Sequence, residues 1–460
     1  MTPEPVDSTA PFRRQMYGLL IVLSLGHMAA RILTVDDPVN HRPFLSANDR
    51  SRWCTIRALV EHGTYAIDDV TFRRGWDTID MVKHRGRDGQ PHYYSSKPPL
   101  LATVLAGPYW LLHQMTGHTL GTHPYEMGRV LLLLYNGLPM LIYFVLLTRL
   151  AERYGTTDWG RVFMVAAGVG GTLLNPFAVV LNNHLPAAVS ALISLDAALR
   201  IYHDGERRAI YFAIAGFFAA LTAACELPAL SYFCLLGLVL LIKAPRQTLL
   251  VGTPAALVVL VASFTTNYAA HNTWKPPYAQ RQEGKDWETG NWYNYTYQRG
   301  GRVLDSYWNN RQGIDRENTP LPVYAFHALL GHHGVFSLTP IWLLSFWGLF
   351  LSLRPPSPLR LWSALTLFLS LLCFAFYLSP KADLNYGGMT CGLRWLFWFA
   401  PLWLLFLLPT ADHLATSAWG RRIAYLLLFI SVFSAAYPLN PWTHPWLMQW
   451  MIRTGWITVG

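Results

Sequence analysis

Residues 98–115 read PPLLATVLAGPYWLLHQM, and the topology of the whole chain turns on whether they cross a membrane or lie along it. The stretch carries no Asp, Glu, Lys or Arg, yet falls short of the ~20 apolar residues that span a bilayer. Lys and Arg collect in short cytoplasmic loops. Arg13 and Arg14 precede the first apolar segment, which sets the N-terminus inside and the chain from Asp36 onward outside. If 98–115 crosses, Arg149, Arg153, Arg161, Arg200, Arg207, Arg208, Lys243 and Arg246 fall outside. If it lies on the surface, all of them fall inside, joined by Arg354, Arg360, Arg421 and Arg422. The opposite short turns, 182–186 and 225–228, then hold neither Lys nor Arg. That bias assigns 98–115 to a surface helix, and Trp110, His113 and Gln114 suit the headgroup level.

The expected fold class follows: an all-α, polytopic membrane protein with about eleven transmembrane helices. The expected spans are 15–34, 127–148, 162–181, 186–202, 209–224, 227–242, 248–267, 335–353, 361–379, 395–409 and 423–439. Five parts result: a tail and first span (1–35), a first periplasmic loop with a catalytic and a surface helix (36–126), spans two to seven (127–267), a second periplasmic loop (268–334), and the last spans with a periplasmic C-terminal tail (335–460). Residues near Gly89 and Glu283 are expected outside, and Gly205 and Ser357 inside. Of 460 residues, 52% are hydrophobic and 13% charged, against nearer a quarter charged in soluble domains. The net charge of +10 is dispersed among membrane loops, which excludes nucleic acid as a partner. The first apolar stretch, 16–33, is too long for a cleavable signal and reads as a retained anchor. The five cysteines show no metal-ligand spacing. A pore, transporter or lipid flippase would bury charges inside its spans, where Arg31 and Asp196 are among the few present.

Chemistry therefore belongs to the outer loops. Ser46-Ala-Asn-Asp49-Arg-Ser-Arg-Trp53 opens a helix, with Ser46 or Asn48 as N-cap, Trp53, Ile56 and Val60 at helical spacing, and Gly63 as its end. Asp49 then sits in the first turn, where the helix dipole favours its ionised form. It is either a general base or metal ligand, or a simple cap. In Tyr93-Tyr94-Ser-Ser-Lys97-Pro-Pro-Leu100 the prolines start the surface helix and fix Lys97 where the chain meets lipid. Lys97 either pairs with a lipid phosphate or snorkels.

Asp49–Tyr65 followed by Tyr94-Ser-Ser-Lys97-Pro-Pro-Leu100 resembles the GT-C superfamily of lipid-phosphate-sugar glycosyltransferases, in particular bacterial aminoarabinose transferases and protein O-mannosyltransferases. The resemblance covers the N-terminal third as motifs and the remainder as architecture. It implies a glycosyltransferase of a bacterial inner membrane, with a polyprenyl-phosphate (undecaprenyl) sugar donor. It also implies a lipid, glycan or protein acceptor on the periplasmic face, and inversion by single displacement. Asp49 would orient or deprotonate the acceptor hydroxyl, and Lys97 with Arg394 would hold the donor phosphate. Two departures stand out. Many relatives have Asp-Glu where this chain has Asp49-Arg50, and a second acid where it has Asn182-Asn183-His184. A divalent metal ion is the one cofactor to test for, with Asp49 and His184 as candidate ligands; a catalytically silent relative is the alternative these departures keep open.

Candidate substrate contacts are Tyr94, Asn183, His184, Glu226 and His332. Asn182–His184 alternatively caps two helix ends. Arg394 ends a glycine-rich turn, 385–393, that suits a phosphate, or else it snorkels. Glu226 is either a substrate contact or a solvated turn acid. His332 with His327 and His333 fits interface hydrogen bonding better than a zinc site. The loop aromatics, Trp274, Trp287, Trp292, Tyr293, Tyr295, Tyr297 and Trp308, either stack on sugars or pack loop against membrane.

Overall fold

A computed structural model of the chain describes residues 8–37, 42–281, 284–309, 311, 319–380 and 384–457. Glu283 lies outside the described residues. In chain order the helices are α1 (Ala10–Thr34), α2 (Ala47–Glu61), α3 (Leu100–Thr116), α4 (Pro124–Tyr154), α5 (Asp158–Gly170), α6 (His184–His203), α7 (Ala209–Cys225), α8 (Leu227–Lys243) and α9 (Pro245–His271). They continue with α10 (Leu321–Leu329), α11 (Ile341–Leu353), α12 (Arg360–Tyr377), α13 (Arg394–Ala415), α14 (Ala418–Ala436) and α15 (Trp446–Arg453). Among the described residues, α1, α4, α6, α9, α12, α13 and α14 are the seven helices long and apolar enough to cross a membrane, with α7, α8 and α11 as shorter apolar helices. The protein is an all-α polytopic membrane protein.

Side-chain contacts sort the helix ends into two sets. At one end Arg13 bonds Glu152 and Asp158, Thr157 bonds Asp412, and Trp362 bonds His203. At the other, Arg129 bonds the Val35 carbonyl, Arg52 bonds Asn183, Asn183 bonds Glu226, and Arg31 bonds the Pro438 carbonyl. The chain is thus at the same end before α3 (Arg52) and after it (Arg129), so α3 changes no side. It packs on α2 instead, with Tyr109 donating to Glu61 at 2.6 Å and Tyr65 bonded to Thr103 at 3.0 Å. Val104, Trp110, Leu111 and Met115 remain exposed on its other face, as an interfacial helix requires.

The expected span 162–181 is helical only through Gly170. From there to Val180 the buried chain is turn and 3-10 helix, whose backbone groups cannot bond along an α-helix and must be met from elsewhere. Asparagines supply the partners. The Asn136 amide donates to the Ala178 and Val180 carbonyls, Asn182 to Phe177 and Val180, and Asn175 to Val169.

Two β-hairpins build the loops: β1 (Met81–Arg85) with β2 (Pro91–Ser95), and β3 (Thr296–Arg299) with β4 (Arg302–Asp305). The first turns at Asp88-Gly89, where Gly89 holds φ 76°, a conformation natural to glycine. The two loops dock on each other. Lys83 N–H donates to the Trp292 carbonyl at 3.0 Å, Tyr295 to the Met81 carbonyl at 3.0 Å, and His84 stacks on Trp292 at 4.1 Å.

Candidate functional site

Between α7, α8 and α9 runs a cavity of about 880 Å³ that opens beneath the docked loops. Its long wall is α7, lined at helical spacing by Phe212, Ala215, Ala219, Ala220, Ala223 and Ala224. The small side chains leave the width of a chain between helices. Leu236, Leu240, Ala256, Leu260 and Phe264 from α8 and α9 complete it. From Phe212 to Cys225, at 1.5 Å per residue, the groove runs ~20 Å. Toward its inner end α7 and α9 touch: a Cβ on Gly216 would collide with the Gly252 carbonyl.

The outer end changes character. Asn48, Arg52, Ser96, Lys97, Asn183, His184, Glu226 and Arg394 line it. Ser46 caps α2 through its Oγ, which accepts from the Asp49 N–H at 3.2 Å. The next turn then brings Asn48 and Arg52 onto the cavity face, one turn apart. Arg52 donates to the Asn183 Oδ1 and Asn48 Oδ1 at 2.6 Å each. Pro99 caps α3, and Lys97 just before it pairs with Asp80 at 3.0 Å. Burial lowers the Lys97 pKa, with Asp80 opposing that shift.

At the start of α6 the alternatives divide by residue. Asn182 is the cap, its Oδ1 accepting from the Leu185 N–H at 2.9 Å. Asn183 and His184 face the cavity. Arg394 donates to the Gly387 carbonyl at 2.7 Å and reaches His184 Nε2 at 3.3 Å, while its guanidinium covers the Trp442 ring at 4.8 Å. An arginine only donates, so His184 Nε2 is the acceptor and Nδ1 carries the proton, donated to Glu226 Oε1. Glu226 also accepts from Asn183 at 2.7 Å. It is a buried acid, 6% exposed, and burial pushes its carboxyl up to about 8 although Arg394 and Arg52 pull it down. Lys97 and Arg394 thus both line the cavity and have protein partners there, Asp80 for the one and the Gly387 carbonyl and His184 for the other.

Three expected site residues stand apart. Asp49 is fully buried and does not line the cavity. Its Oδ2 accepts from the Leu45 N–H at 3.1 Å, and its Oδ1 has no partner among the described residues. Burial raises its carboxyl to about 7, against the Arg50 charge and the Leu45 N–H, which favour the ionised form. Tyr94 is in β2, stacked on His84 at 4.1 Å, off the cavity wall. His332 lies with His333 and Tyr386, its Nδ1 bonded to His333 Nδ1 at 2.5 Å. The sequence reading missed Arg52 and Asn48; their i, i+4 spacing on a capped helix was the available signal.

Among the described residues no group of three or more His, Cys, Asp and Glu converges as a metal site. Asp49 and His184 do not fit as a ligand pair: His184 has Nδ1 on Glu226 and Nε2 on Arg394, and Asp49 points elsewhere. Of the loop aromatics, Trp274, Tyr293 and Trp308 reach the cavity mouth. Trp287, Trp292, Tyr295 and Tyr297 pack between loops.

No protein-family model matches the sequence, and no curated protein matches it. Two solved structures are similar in fold. The first is ArnT from Cupriavidus metallidurans in the apo state, 14% identical at a TM-score of 0.49, covering 88% of this chain and 61% of that one. The second is the archaeal oligosaccharyltransferase AglB from Archaeoglobus fulgidus, in complex with an inhibitory peptide and a dolichol-phosphate. It is 11% identical at a TM-score of 0.46, covering 97% of this chain and 58% of that one. This chain spans about three-fifths of the length of either.

Proposed function

We propose that this chain is a membrane glycosyltransferase that takes its sugar from a polyprenyl-phosphate donor. One observation carries the reading: a ~20 Å apolar groove ends at three cations, the buried Arg52 and the half-buried Lys97 and Arg394. A lipid tail gains little by moving from bilayer to protein, since both are apolar. Affinity for a lipid in such a groove is therefore set at its head, where charge-assisted hydrogen bonds to phosphate are strong. The same cations stabilise the charge that develops on the departing phosphate.

The reaction fits that geometry. The acceptor hydroxyl attacks the anomeric carbon as the carbon–oxygen bond to phosphate breaks, and polyprenyl phosphate leaves with the bonding electrons. A buried carboxylate at this end of the bundle takes the hydroxyl proton, Asp49 and Glu226 being the candidates. The Lys/Arg bias supports an N-terminus inside and a site on the outer face, and the resemblance to lipid-phosphate-sugar glycosyltransferases points to the periplasmic side of a bacterial inner membrane. An undecaprenyl carrier fits such a membrane, and the acceptor class is a lipid, glycan or protein that reaches the docked loops. The test is binding of undecaprenyl phosphate to protein in lipid nanodiscs, with Arg394→Ala and Lys97→Ala as controls. Saturable binding lost in both variants supports the reading; binding of equal strength in all three proteins removes it.

A further inference from the structure

The acid the sequence singles out and the acid the cavity presents are different residues. Asp49 is off the wall, and reaching substrate would require α2 to turn. Glu226 lines the wall, at the outer turn between α7 and α8. Both of its hydrogen bonds, from Asn183 and His184, end on Oε1. Its Oε2 has no hydrogen-bond partner among the described residues, a free acceptor on a side chain over nine-tenths buried. The direction of the network is fixed by chemistry: Arg394 donates to His184, and His184 donates to Glu226. Every donor in that line stabilises the carboxylate form, and none competes for Oε2.

We propose that Glu226 is the general base of the transfer, taking the acceptor hydroxyl proton on Oε2, and that His184 and Asn183 are the residues that position it. This rests on the glycosyltransferase reading of the same cavity. The proton moves from the acceptor oxygen to Oε2 as that oxygen bonds the anomeric carbon. The bond to the phosphate breaks in the same displacement, and the leaving phosphate stays beside Lys97 and Arg394. The charged and titratable groups facing Glu226 are Arg52 from α2, His184 from α6, Cys225 beside it, Tyr377 from α12 and Arg394 at the start of α13. A base with a carboxyl raised toward 8 gives a rate that climbs with pH through the neutral range.

The experiment uses full-length protein in liposomes of bacterial polar lipids, with a bacterial envelope extract supplying lipid, glycan and protein acceptors. A panel of undecaprenyl-phosphate monosaccharides is the donor probe, and undecaprenyl phosphate release is read in single turnover from pH 5.5 to 9.5. Glu226→Gln should slow release by ~10²–10⁴ and lose the rising limb, while binding undecaprenyl phosphate within about threefold of wild type. Glu226→Asp should keep the limb at a reduced rate, which separates a chemical role from misfolding. His184→Ala should move the limb to higher pH, because the carboxylate loses a donor; a merely structural histidine would lower the rate without moving it. Asp49→Asn should cost less than tenfold. Release by Glu226→Gln close to wild type, with Asp49→Asn inactive, overturns the assignment to Glu226 and leaves the transferase intact. A wild-type protein that neither binds undecaprenyl phosphate nor releases it overturns both.

Discussion

Lys97→Ala is the substitution that most sharply tests the cationic head of the groove. Lys97 lines the cavity, is 18% exposed at its side chain, and pairs with Asp80 at 3.0 Å. A hydrogen bond between charged partners contributes about 1.5–3 kcal/mol, so losing one to the lipid phosphate weakens binding roughly ten- to hundredfold. The substitution also strips the counterion from Asp80, whose side chain is 10% exposed. An uncompensated carboxylate near the phosphate adds repulsion, so Lys97→Ala alone overstates the contact. Lys97→Ala combined with Asp80→Asn removes that second effect and should recover part of the loss. Lys97→Arg keeps the charge but presents a planar fork, and should lose less than Lys97→Ala. The assay is undecaprenyl phosphate affinity in nanodiscs, at matched thermal stability. Affinity for Lys97→Ala within twofold of wild type would refute the phosphate role.

Further outcomes follow from other parts of the molecule. Ala220→Phe fills the groove at a position where small side chains line the wall, so it should abolish undecaprenyl phosphate binding while a short-chain prenyl phosphate still binds. Asn182→Ala removes one donor each from the Phe177 and Val180 carbonyls and the cap of the Leu185 N–H in a buried stretch, and should cost about 1–3 kcal/mol, read as a lower unfolding temperature. Asp49 has a raised folded carboxyl, so the folded chain holds a proton the unfolded chain has lost between pH ~4 and ~7. Stability therefore falls as pH rises through that window, and Asp49→Asn should flatten the slope of unfolding temperature against pH. Single cysteines at Gly89 and Gly205, in a background lacking the exposed Cys234, should label from opposite sides; equal labelling contradicts the surface position of α3.

The surface position of α3 was legible because charge bias acts over the whole chain: one short segment had to fit the Lys/Arg distribution of every other loop, and its packing on α2 agrees with that reading. The motif Lys97-Pro98-Pro99 was legible because prolines fix a helix start locally. The face of α2 was not. Burial runs without a break from Asp49 to Ala58, since loops cover the helix on every side, and such a helix has no amphipathic period to show which residues meet a cavity. Asp49 and Asn48 differ by a ~100° turn, and that rotation decides which lines the site. Glu226 could not be settled between substrate contact and solvated turn acid, because its burial against Asn183 and His184 of α6 is a long-range contact. The shortened third span had a signal in Asn175 and Asn182, which flank the apolar run 176–181, and the first hairpin had one in Asp88-Gly89.

Native mass spectrometry of the protein extracted with its own lipids tests the central claim most directly. A polyprenyl phosphate or its glycosylated form, retained by wild type and lost from the Lys97→Ala and Arg394→Ala variants, is the predicted result. Retention of ordinary phospholipid alone, equally in all three proteins, would contradict it.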